Sequence, residues 1–125
     1  MLSNVIKFEV IQGNFKSKIE FNLTNDKIIA ITGLSGSGKS TIAKVICGLI
    51  KPNNGLIKIN DKVLFCSNTK TNIAPNLRKI GMVFQEPRLF SHMTVKNNLL
   101  YGQRRNTELN HTKLAKIVTI LGIKG

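Results

Sequence analysis

The stretch from residue 33 to residue 41 constrains this chain more than any other. Gly33, Leu34, Ser35, Gly36, Ser37, Gly38, Lys39, Ser40 and Thr41 fit the phosphate-cradle pattern GxxxxGK[ST], with Gly33, Gly38, Lys39 and Ser40 at its fixed positions. The flanks agree with it. Ahead of the loop, Lys27, Ile28, Ile29, Ala30, Ile31 and Thr32 form a short apolar run that predicts a strand buried on both faces. Behind it, Ile42, Val45, Ile46 and Leu49 recur at helical spacing. A strand, a glycine-rich turn and a helix aim backbone N–H groups and a helix N-terminus at one point.

Each residue type in the loop has a task. The glycines allow backbone angles closed to other residues and let the chain pass close to phosphate oxygens. Lys39 is a flexible point charge that reaches β- and γ-phosphates. The Ser40 hydroxyl is an oxygen ligand of the kind Mg²⁺ prefers. Thr41 adds a hydrogen bond on the α-phosphate side. A Gly/Ser-rich loop that merely contains a lysine does not account for both flanks, so the pattern implies a nucleoside-triphosphate site.

At 125 residues the chain makes one modest domain, burying roughly two thirds of its unfolded surface. No apolar run approaches the ~20 residues of a membrane span, and Met1, Leu2, Ser3, Asn4 and Val5 lack the order of a signal peptide. Cys47 and Cys66 have neither metal nor redox spacing, which fits packing roles and a reducing cytosol. The net charge of +13 admits an anionic partner. Yet the lysines are scattered singly without interleaved aromatics, and Arg104 and Arg105 are the one basic pair of arginines, so no nucleic-acid partner is expected. The imbalance fits a chain that is part of something whose acidic residues lie elsewhere.

Alternation predicts two antiparallel strands at residues 5–11 and 18–23, joined through Gln12, Gly13 and Asn14. Lys51, Pro52, Asn53, Asn54 and Gly55 stop the helix that follows the loop. Residues 56–60 and 63–65 read as strands around an Asn60-Asp61 turn, residues 66–77 as loop, and residues 80–84 as a further buried strand. Thr94 predicts the cap of a helix through Tyr101, stopped near Gly102. Residues 103–110 read as a polar linker. Thr112 predicts the cap of a last helix carrying Leu114, Ile117, Val118 and Leu121 on one face and ended by Gly122.

Gln85 directly follows the run at residues 80–84. Taken alone it reads as a solvated strand end. Beside a phosphate loop, an amide at the end of a neighbouring parallel strand lies near the nucleotide crevice, where it could ligate Mg²⁺ or orient the attacking water. With these residues in order, the chain resembles the ATP-binding subunits of ABC transporters over essentially its whole length. The loop 33–41, the helix ending in Cys47, Gly48 and Leu49, the Lys51-to-Gly55 turn, the strand 56–60 and the Gln85 stretch carry the likeness. Within that family, Gln85, Glu86, Arg88, Leu89 and Phe90 look most like the molybdate-importer branch, with sulfate, phosphate and other importers as alternatives.

The resemblance implies an α/β P-loop NTPase fold: an antiparallel β subdomain plus the start of a parallel core sheet with helices. It also implies ATP and Mg²⁺ as ligands, Ser40 and Gln85 on the metal, and Gln85 as the glutamine that orients the water. A loop after Gln85 would touch a transmembrane permease subunit, a second ATP-binding subunit would complete the site, and the location would be the inner face of the plasma membrane. The family stacks an aromatic on adenine; Gln12 stands near that place and Phe15 is the nearest aromatic, with strand packing as its other reading.

Residues 1–125 then form a partial ATP-binding domain. The family's Leu-Ser-Gly-Gly-Gln signature, Walker B aspartate, catalytic glutamate and switch histidine have no match here, and His92 and His111 do not stand at the switch position. The expectation is therefore ATP binding without hydrolysis by this chain alone, and apolar surface left uncovered where later strands would pair. Rival classes fit less well. There is no Asn-Lys-x-Asp motif for a guanine-reading GTPase, and four arginines are few for the lid of a small kinase.

Overall fold

The computed structural model describes residues 4–23, 28–101 and 111–123, in two units, Met1–Val83 and Phe84–Gly125. In the first unit, side-chain alternation becomes a sheet. Strand β1 (Asn4–Gln12) turns Ile6, Phe8 and Val10 inward, each 1% exposed. Strand β2 (Phe15–Leu23) pairs with it antiparallel, Ile6 opposite Phe21 and Phe8 opposite Ile19. The loop between them holds Gly13 at φ 57, the positive angle that primed hairpin turns need.

Strand β3 (Asn54–Ile59) lies on the other side of β1, followed by β4 (Lys62–Cys66) and a short β5 (Thr71–Asn72). The order is β2-β1-β3-β4-β5, and every ladder among the described residues is antiparallel. Asn60 and Asp61 both adopt left-handed angles, φ 49 and 61, which makes a tight type I′ connection. Asn4 Oδ1 accepts the Asn60 N–H at 2.6 Å, and Lys58 pairs with Asp61 at 3.0 Å. The register slips between Ile57 and Lys58, so Leu64 has no opposite residue; Leu64 and Phe65 are both buried, which simple alternation does not allow.

Helix α1 (Lys39–Cys47) lays Ile42 and Val45 into the core with Ile6, Phe8, Val10 and Ile57. Gly48, at φ 83, closes it: its N–H donates to Val45 O and the Leu49 N–H to Lys44 O. The turn that follows is stitched to β1, Asn53 N–H donating to Glu9 O and Asn53 Oδ1 accepting the Ile11 N–H, both at 2.8 Å. On the solvent side Lys7 pairs with Glu20 at 2.9 Å and Lys16 with Glu9 at 2.8 Å. The Lys16 ammonium, by hydrogen bond and charge, holds the Glu9 carboxyl below its usual pKa.

Several elements differ from the sequence-based expectation. Residues 28–32 and 80–84, expected as buried strands, run without a ladder among the described residues. Ile28 and Val83 are fully exposed and Ile29 and Ile31 nearly half so. The physical reason is that a parallel strand exists through its neighbours' hydrogen bonds, and no described residue supplies them. The uncovered apolar surface itself is as expected. The stretch 66–77, expected as loop, contains β5 and a 3₁₀ turn at Pro75–Leu77.

The second unit begins irregularly. Arg88 stacks its guanidinium 4.9 Å from the Phe84 ring centre, and Phe90 packs on Tyr101 at 4.4 Å. Helix α2 (Val95–Tyr101) starts as expected, Thr94 Oγ1 accepting the Asn97 N–H at 3.2 Å. The Asn98 amide ties down the preceding turn, accepting the Phe90 N–H and donating to Phe90 O and Met93 O. Helix α3 is His111–Ile120, so Thr112 sits within its first turn rather than capping it. Gly122, at φ 67, ends it with Ile123 N–H on Val118 O and Gly122 N–H on Thr119 O. The Gly102 stop and the linker 103–110 lie outside the described residues, as does the Leu114 side chain. Among the described residues no helix is long and apolar enough to cross a membrane.

Gly55 shows how closely β1 and β3 approach. It sits at φ 128, and a Cβ there would run into the backbone of Lys7 and Phe8. Gly55→Ala is expected to destabilise the first unit by about 2 kcal/mol or more, read as a lower urea midpoint.

Candidate functional site: the phosphate loop and its helix

The loop between residues 33 and 38 ends in α1 with an open N-terminus. Gly38 precedes the helix in the left-handed region at φ 93, so no side chain caps the first turn, and that turn holds no acidic residue. The N–H groups of Lys39, Ser40 and Thr41 have no intrahelical carbonyl behind them, and the helix dipole adds partial positive charge at the same place. The loop itself is curled by one bond, Ser37 N–H to Leu34 O at 3.2 Å.

Lys39 reinforces the curl. Its Nζ donates to Gly33 O at 2.8 Å and Leu34 O at 2.6 Å, with Ser37 Oγ at 3.4 Å. The ammonium is therefore held within the loop, at the end of α1 where the free N–H groups lie. An anion entering there meets a charge already in place, and the lysine gives up little side-chain freedom. Ser40 is exposed, so its hydroxyl is available as one oxygen ligand. Among the described residues no group of three His, Cys, Asp or Glu could hold a metal ion.

Phe15, at the start of β2, is brought to the loop. A Cβ built on Gly38 would stand 2.5 Å from its Cζ, so the ring lies directly against the glycine that opens α1. Phe15 also packs on the edge of the core, so both roles expected of it remain compatible with its position. Gln85 is exposed and belongs to the second unit. His92 is exposed too, edge-on to Phe90 at 5.9 Å between ring centres.

A residue that the sequence reading passed over holds the other end of α1. Arg78 is 4% exposed. Its Nη1 donates to Val45 O at 3.0 Å and Ile46 O at 2.8 Å, its Nε to Ile73 O at 2.8 Å and its Nη2 to Asn72 Oδ1 at 3.1 Å. The acceptors are two carbonyls in the last turn of α1, the side chain of Asn72 at the end of β5 and the carbonyl of Ile73 just after it. A cation at a helix C-terminus is favoured by the dipole, and only a planar fork satisfies acceptors in several directions at once. Burial lowers the guanidinium pKa from its ordinary value, against the nearby Cys47. The available signal was that Arg78 is the sole arginine in residues 1–83, among many lysines.

A glycine-rich turn, a lysine curled into it and a helix opened toward it define a P-loop nucleotide-binding protein. The chain belongs to the ABC transporter family, whose profile matches residues 17–125. It is 45% identical over 97 residues to the molybdenum import ATP-binding protein ModC of Mannheimia succiniciproducens, covering 78% of this chain and 27% of that protein. It is 39% identical over 115 residues to ModC of Vibrio parahaemolyticus, covering 92% and 31%, and 47% identical over 90 residues to ModC of Aliivibrio fischeri, covering 72% and 25%. The chain thus spans about a quarter to a third of the length of these curated relatives. The α/β P-loop fold expected from the sequence is the fold of this family, with the antiparallel part formed here.

The two loop glycines separate backbone angle from close contact. Gly36, at φ 80, has open space where a Cβ would go, whereas Gly38 at φ 93 meets the Phe15 ring. Both alanine variants pay backbone strain of about 1 kcal/mol or more. Gly38→Ala is expected to lower the urea midpoint further than Gly36→Ala, because the ring must also move.

Proposed function

We propose that residues 33–41 bind the phosphates of Mg-ATP, and that the chain acts as the N-terminal part of the ATP-binding subunit of an ABC importer for molybdate or a similar oxyanion. The observation that carries the reading is the Lys39 ammonium held by Gly33 O and Leu34 O beside the uncapped start of α1. Backbone N–H groups of the loop and first turn would take the phosphate oxygens, and Lys39 would exchange a carbonyl for an oxygen of the β- or γ-phosphate. Ser40 would supply a hydroxyl to Mg²⁺, which neutralises charge on the phosphates. The fit of Phe15 against Gly38 supports an adenine-side role for its ring.

The names of the relatives support the oxyanion, since those proteins are called molybdenum import ATP-binding proteins. On the same footing, Gln85 would complete the metal and water positions, and the loop after it would meet a transmembrane permease subunit at the cytoplasmic face of the membrane. A second ATP-binding subunit would close the site. Phosphoryl transfer to water is mainly a matter of positioning and charge neutralisation. The residues described at the phosphate loop bind and orient, and none of them is a carboxylate that could place a water. Residues 1–125 are accordingly proposed as a partial domain that binds ATP and does not turn it over alone.

Calorimetry with Mg-ATP tests this. Lys39→Ala is expected to weaken binding by about 2 kcal/mol, the scale of a charge-assisted hydrogen bond, and chelating Mg²⁺ should weaken it in the wild-type chain. Unchanged affinity in the variant refutes the role of Lys39. Steady phosphate release by the purified chain, abolished by the same substitution, refutes the non-hydrolysing part.

A further inference from the structure

The phosphate loop sits on one end of a short rod, and Arg78 grips the other. Helix α1 is nine residues long, or about 13 Å, so a small pivot at its C-terminal end displaces the loop. At that end the Arg78 Nη1 donates to the carbonyls of residues 45 and 46 at 3.0 and 2.8 Å, beside the Gly48 N–H on Val45 O. The same guanidinium holds Ile73 O and Asn72 Oδ1, which anchors the chain leaving β5 to the helix. The contact is tight, since a Cβ on Gly48 would lie 2.6 Å from Arg78 Nε. The packing around it is directional: these four acceptors are all neutral oxygens, so what Arg78 contributes is geometry rather than a charge pair.

Resting on the nucleotide reading above, we propose that Arg78 is a positioning residue for the phosphate loop. It fixes the far end of α1, so that nucleotide engagement at one end and order in residues 72–78 are coupled. The coupling is reciprocal: whatever loosens the clamp weakens nucleotide binding, and bound nucleotide tightens the clamp. Residues 72–78 run in the chain toward Gln85, seven positions beyond Arg78. The clamp therefore ties the C-terminal end of α1 to residues 72 and 73.

The test uses the whole chain and Mg-ATP. Arg78→Lys keeps the charge and the aliphatic stem but cannot reach acceptors in four directions. It is expected to keep the far-ultraviolet spectrum and bind Mg-ATP about tenfold more weakly, the range of couplings carried by residues off the ligand. Methylguanidinium added to Arg78→Ala is expected to restore part of the affinity. In the wild-type chain Mg-ATP should slow amide exchange at Leu49, Ile50 and Ile73, not at the loop alone. A wild-type chain that binds Mg-ATP while Arg78→Lys binds equally well overturns this inference and leaves the nucleotide reading intact. Should the variants fail to fold, wild-type exchange at those three amides decides: no change on binding overturns it. A wild-type chain that leaves Mg-ATP unbound refutes both.

Discussion

The beginning of an α-helix has N–H groups that nothing within the helix can satisfy, and the structure around α1 depends on that constraint. Most helices resolve it with a serine, threonine or aspartate cap. Here Gly38 stands in the capping position with no side chain to offer, and the loop before it turns its carbonyls toward Lys39 instead. The donors stay available and a cation is fixed beside them. An anion is the natural complement, and a polyphosphate can use both features together.

Keeping such a start open has a stability cost, and the rest of the first unit offsets it. Val45 and Ile42 press α1 onto the inner face of the sheet, against Phe8 and Ile57. Gly48 and Arg78 satisfy the carbonyls at the opposite end. Asn53 sews the turn after the helix to β1. The helix is thus held by its apolar flank and its C-terminal end, which leaves its N-terminal end for binding.

Local chemistry was readable where it is set by neighbours in the chain. The inward set Ile6, Phe8 and Val10 followed from alternation, the Asn60-Asp61 turn from residue type, and the end of α3 from Gly122, whereas α1 closes at Gly48, ahead of the expected stop at residues 51–55. The phosphate loop was legible because its pattern is itself a list of backbone requirements. What was not legible depends on distant partners. Leu64 is buried beside Phe65 because of a register slip that no alternation encodes. Arg78 serves carbonyls more than thirty residues back in the chain. The apolar runs at residues 28–32 and 80–84 have strand composition, but strand formation also requires a neighbour, and composition cannot say where that neighbour is.

Those uncovered isoleucines have a colloidal consequence when set beside the charge. Ile28, Ile29 and Ile31 offer a sticky stripe to any other copy, while an excess of thirteen positive charges pushes copies apart. The repulsion reaches only as far as the ionic atmosphere permits, ~10 Å at 0.1 M salt and ~3 Å at 1 M. The attraction between bare hydrocarbon faces is not weakened in the same way. Dilute buffer therefore keeps the molecules apart, and concentrated salt, by muting the one long-range force that separates them, brings the stripes together.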